Sequence, residues 1–145
     1  MMEQRLSMVT LGVADLARAR RFYEVGLGWK ELQGAEEIAF YQLPGLALSL
    51  YPFALLAEDA QLKPERSPGF GGIALVINLA APADVDATLR EAERAGAKIL
   101  KPAQNVFWGG YSGYFADLDG YPWEVAHNPF CTLHPDGRTT FKAAS

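Results

Sequence analysis

The chain has 145 residues, half of them hydrophobic and 21% charged, with a net charge of −4, which suits a soluble globular domain, or two small units sharing a core. The acidic balance argues against nucleic acid or an anionic membrane surface as partner, and the single cysteine, Cys131, excludes an intrachain disulfide and a cysteine-built zinc cluster. No apolar run approaches the ~20 residues of a membrane span and the opening MMEQRLSMVT has no leader-like apolar region, so a cytoplasmic location is expected.

MVTLGV (8–13) alternates as a strand, and Asp15 is placed to cap a helix. Leu16, Ala19, Tyr23 and Leu27 recur at helical spacing, with Arg18, Arg20 and Arg21 on what reads as a solvated face. Gly26 and Gly28 stop the helix. Three strands are predicted next, around WKELQ, EIAFYQL and LALSLYP, with Pro44-Gly45 turning between the last two. A short helix candidate, ALLAEDAQL (54–62), and the loop KPERSPGFGG follow. GGIALVINL then predicts a strand with Ile73, Leu75 and Ile77 on one face. Pro82 opens a second main helix with Val85, Thr88, Leu89 and Ala92 inward, and Gly96 ends it. AKILKPAQ, SGYFADL and YPWEVAH read as three more strands, the last two joined at Asp119-Gly120. The order strand, helix, three strands therefore occurs twice.

One carboxylate, Glu124, interrupts the apolar strand Tyr121 to Ala126. Aligning the halves sets it opposite Ser49, and Met8 opposite Gly72. A carboxylate on an otherwise apolar face needs a partner. It acts either as an acceptor or general base for a bound molecule, or as a structural acceptor satisfied by a tyrosine or water. His127 lies an odd number of residues away and faces the other side of the strand. His134 lies in the tail, and Cys131 has no base beside it in sequence. NVFWGGYSGYF (105–115) gathers aromatics around glycines, and Trp108 and Tyr111 flanking Gly109-Gly110 suggest an aromatic wall for a ligand. Tyr51 shares the face of Ser49. Tyr41 and Phe53 read as core. GFGG (69–72) lacks the Lys and Ser/Thr of a phosphate loop.

LGVADLARARRFYEVGLGW (11–29) and GYFADLDGYPWEVAHNP (113–129) resemble the vicinal oxygen chelate superfamily, which includes glyoxalases, bleomycin-resistance proteins and extradiol dioxygenases. The resemblance implies an α+β fold of two tandem βαβββ modules (about 5–53 and 71–130, connector 54–70, tail 131–145) whose mixed sheet curls into a cup with helices outside. It also implies a homodimer, with the cup formed within one chain or by modules exchanged between two. The family's metal-ligand places fall here on Met8, Ser49, Gly72 and Glu124, of which only Glu124 suits a hard divalent cation. A catalytic divalent site normally needs three protein ligands. The expectation is therefore no metal or other cofactor, and a small-molecule binding protein whose ligand meets Trp108, Tyr111, Tyr51, Glu124, Met8 and Ser49. The alternatives are a lyase, isomerase or dioxygenase using Glu124 as base or metal ligand, and a scaffold whose cavity is filled by its own side chains.

Overall fold

The alternation in MVTLGV forms β1 (Met8–Val13), and the Asp15 side chain caps α1 (Leu16–Arg21) by accepting from the Arg18 amide at 3.1 Å, a contact worth about 1 kcal/mol. The computed structural model describes residues 1–32 and 36–142 and divides them into two compact units, Met1–Gly69 and Phe70–Ser145. The elements are helices and mixed sheets, an α+β arrangement.

In the first unit α1 widens into a π-helical turn, Phe22–Gly26, closed by the Leu27 amide on the Phe22 carbonyl at 3.0 Å. The extra residue in that turn buries both Phe22 and Tyr23, where a 3.6 period had placed only Tyr23 inward. β2 (Ala39–Leu43) and β3 (Leu46–Pro52) follow, then α2 (Phe53–Asp59). The sheet order is β1-β3-β2, with β1 parallel and β2 antiparallel to β3. Leu11, Val13, Ala39, Tyr41, Leu48 and Leu50 share one sheet face and are buried with Ala19, Phe22 and Tyr23. Each large side chain so buried contributes about 1.5–3 kcal/mol.

Two expectations for this unit are corrected. Trp29–Leu32 form no strand, and the Gln33 end of that prediction lies outside the described residues. The Trp29 ring packs 5.3 Å from Tyr23 and 5.7 Å from Tyr41, so the side chains turn toward the helix instead of alternating across a ladder. Arg20 is not on a solvated face. Its guanidinium donates to Glu31 Oε1 at 3.1 Å and to the Glu36 and Ile38 carbonyls at 3.2 and 3.0 Å, tying both ends of that connection to α1.

The second unit runs β4 (Leu75–Asn78), α3 (Pro82–Arg94), β5 (Lys98–Asn105), β6 (Tyr111–Ala116) and β7 (Pro122–His127), in sheet order β4-β7-β6-β5. β4 is parallel to β7, and the other pairs are antiparallel. Val85, Leu89 and Ala92 form the buried stripe of α3, with Thr88 half-buried. β4 is shorter than GGIALVINL suggested, because Gly72 takes a left-handed φ of +91° and Ile73 is 66% exposed. The stretch 131–145, read as a tail without elements, contains a hairpin, β8 (Cys131–Leu133) with β9 (Thr139–Phe141), closed by the His134 amide on the Arg138 carbonyl at 2.8 Å. Among the described residues no helix is long and apolar enough to cross a membrane.

Candidate functional site

The β4-β7-β6-β5 sheet has two chemically different faces. Trp123 and Val125 of β7 and Phe115 of β6 are buried on the α3 side, where Gly113 lies against Leu89. Glu124 points the other way, half-buried between its register partners Val76 on β4 and Tyr114 on β6. Ala126 and Ser112, the next pair along, are buried and share that face. The register is set at the β6–β7 turn, where the buried Asp117 carboxylate accepts from the amides of Asp119 at 3.0 Å and Tyr121 at 2.9 Å. Gly120 completes the turn at φ +87°, a value alanine adopts only with strain.

Tyr114 is the residue the sequence reading missed. Its hydroxyl hydrogen-bonds the Glu124 carboxylate, and burial, followed by that bond and the carboxylate's charge, raises its pKa above the ordinary tyrosine value. Tyr114 therefore stays a protonated donor at neutral pH. A carboxylate has about four acceptor positions, so one tyrosine leaves Glu124 with acceptor capacity for a ligand.

Trp108 joins the same face from the β5–β6 loop. The loop is closed by the Val106 amide on the Gly110 carbonyl and the Gly109 amide on the Val106 carbonyl, both at 3.0 Å. The indole lies flat against Gly110, so that a Cβ there would sit 1.9 Å from the ring. Gly110 has the parity of Ser112 and Tyr114, four residues before the latter, or about 13 Å along the strand. Gly110→Ala is expected to push the indole off the face, shifting Trp108 fluorescence to the red in a protein carrying only that tryptophan. An unchanged spectrum would mean that the ring is not seated on Gly110.

Tyr111 does not converge with these groups. Its hydroxyl donates to Asp86 Oδ1 on α3 at 2.7 Å, and that bond, with burial, raises its pKa. His127 shares the Tyr111 side of the sheet, with Nδ1 3.1 Å from the Leu79 carbonyl, so Nδ1 carries the proton. His134 Nε2 lies 2.9 Å from Thr140 Oγ1 in the terminal hairpin.

In the first unit Ser49 is fully buried and its hydroxyl is 2.6 Å from Thr10 Oγ1. Thr10, not Met8, is its β1 neighbour, and Tyr51, two residues on, has the parity of Ser49 and pairs with Gly12. Met8 is 41% exposed at the start of β1. Gly72 lies ahead of β4, and Val76 takes the place beside Glu124. As a donor set for a hard divalent ion these residues do not fit: Ser49 is engaged by Thr10, Met8 offers only a thioether, Gly72 has no side chain and Val76 no donor. Among the described residues no group of three or more His, Cys, Asp and Glu is gathered to hold a metal.

The Glyoxalase/Bleomycin resistance protein/Dioxygenase superfamily profile matches residues 5–125, and the chain belongs to that superfamily. It is similar to the crystal structure of a glyoxalase-related enzyme from Fulvimarina pelagi, with 36% identity and a TM-score of 0.89 over 97% of this chain and all of that one. The fold also matches a lactoylglutathione lyase from Agrobacterium tumefaciens (20% identity, TM-score 0.66, 87% of this chain and 95% of that one). A fosfomycin resistance protein from Mesorhizobium loti matches at 20% identity and TM-score 0.62, over 88% of this chain and 94% of that one. No functionally curated protein matches the chain.

Proposed function

We propose that this superfamily member binds a small organic molecule that presents a hydrogen-bond donor or a positive charge to Glu124. The observation that carries the reading is the Glu124 carboxylate, held by the Tyr114 hydroxyl on a sheet face otherwise made of small neutral residues, Ser112 and Ala126. An acceptor so placed orients a ligand, and the Trp108 ring farther along supplies a flat apolar surface. Ser49, Tyr51 and Met8 are proposed to complete the contacts, and Tyr111 to hold the loop through Asp86. The donor chemistry at Met8, Ser49, Gly72 and Glu124 favours binding without a resident metal or other cofactor. A cytoplasmic homodimer is proposed as its working form.

A second reading is favoured by the same pair. An acceptor carboxylate beside a protonated tyrosine is also the minimum equipment for proton transfer, so a lyase or isomerase would use Glu124 as its base and Tyr114 as hydrogen-bond donor. Native mass spectrometry of protein purified without a metal-affinity tag is the first test. A dimer carrying an organic mass and no metal is the expected result, and one divalent ion per protomer would overturn the cofactor proposal. Glu124→Gln then separates the readings, because it weakens binding in both but removes turnover only if there is catalysis.

A further inference from the structure

A second set of titratable groups converges on the helix side of the first unit, away from Glu124. Glu24 projects from the π-helical turn to within hydrogen-bonding reach of Glu31, and Glu31 accepts from Arg20 at 3.1 Å. The buried Tyr41 hydroxyl points at Glu24 without forming a well-made hydrogen bond. Around them Tyr23, Trp29 and Tyr41 pack with ring centroids 5.3, 5.7 and 6.1 Å apart. Two carboxylates are both acceptors only, so contact between them needs a proton to serve as donor. Arg20 is already engaged by Glu31 and two carbonyls, which makes Glu24 the second negative charge taken from water.

We infer that Glu24 and Glu31 form a proton-binding site: one proton is shared between them, Arg20 holds Glu31 as the anion, and loss of the proton loosens the Tyr23–Trp29–Tyr41 packing on α1. Among the described residues the titratable and charged groups facing Glu24 are Arg20 from α1, Glu31 from the following segment and Tyr41 from β2. Burial first, then Glu31, raises the Glu24 pKa, and Arg20 offsets this only in part. A carboxyl raised in the folded state contributes its stability below the ordinary value and loses it as pH climbs through the folded value.

The test compares urea unfolding of the wild type, Glu24→Gln and Glu31→Gln from about pH 5 to about pH 8. The amide introduced by Glu24→Gln can donate to Glu31 without a titrating proton. Its unfolding equilibrium constant is expected to improve on the wild type's by about tenfold more at the top of the range than at the bottom. Glu31→Gln, which weakens the hold on Arg20, is expected to be less stable than the wild type throughout. Carboxyl-carbon NMR of the wild type should show Glu24 titrating above the ordinary carboxylate range, and back within it in Glu31→Gln. Parallel stability curves for the wild type and Glu24→Gln, or an unshifted Glu24 carboxyl, would overturn the proposal. The NMR titration decides the matter alone if Glu24→Gln does not fold.

Discussion

Gly113→Ala is expected to destabilise the second unit by about 3 kcal/mol. A Cβ at this position would lie 2.8 Å from Leu89 Cδ1, 2.8 Å from the Lys101 carbonyl oxygen and 2.9 Å from the Ala103 amide nitrogen. Leu89 can change rotamer, but the two backbone atoms belong to β5, whose register against β6 breaks between Ile99 and Lys101 and again between Lys101 and Gln104. Pro102 sits inside the second break, where no ladder amide is required of it. The bulged strand thus leans onto β6 at the one residue there without a side chain, and an added methyl forces the strands apart. Urea unfolding followed by circular dichroism measures the cost. Gly120→Ala is the control: its φ of +87° strains alanine but nothing lies within 4 Å, so about 1 kcal/mol is expected. If Gly113→Ala costs no more than that control, the close approach of β5 is not what selects glycine.

Glu124→Gln should weaken ligand binding about 10- to 100-fold, since a hydrogen bond to a charged acceptor is worth about 1.5–3 kcal/mol. The substitution keeps shape and removes charge, so the loss reports on the carboxylate itself. Tyr114→Phe is expected to have a smaller effect, about 3- to 10-fold, because it frees Glu124 from its tyrosine without removing the acceptor. Tyr111→Phe breaks the bond to Asp86 on the α3 side and should leave affinity unchanged. Calorimetric titration with the co-purifying molecule ranks the three. Equal losses at Tyr111 and Glu124 would place the ligand on the wrong face of the sheet in our reading.

What the sequence revealed, and what it hid, follows from the range of each interaction. Asp15 as a cap, the inward stripe of α3 and the opposite facing of Glu124 and His127 are local consequences of spacing, and each is present. Tyr114 was hidden because its meeting with Glu124 depends on a cross-strand register. That register is fixed by Asp117, whose two turn bonds look in sequence like any acidic loop residue. Arg20 was misread for a related reason: its partners lie eleven to eighteen residues onward, beyond any helical neighbour. The terminal hairpin was passed over although HPDGR carries turn chemistry, because the strands flanking it are only three residues each.

The parallel pairing of first and last strands has a consequence for how such a sheet can change over generations. Val76 stands beside Glu124 and Thr10 beside Ser49, each pair one strand spacing of about 4.8 Å apart. Val76 is 53% exposed, so its side chain is under little packing constraint. A histidine there would give the carboxylate a nitrogen donor as immediate neighbour without moving the backbone. Chemistry that depends on a cation and recognition that does without one are thus close neighbours in sequence space on this scaffold, and a lineage can cross between them by exchanging side chains on strands that already lie side by side.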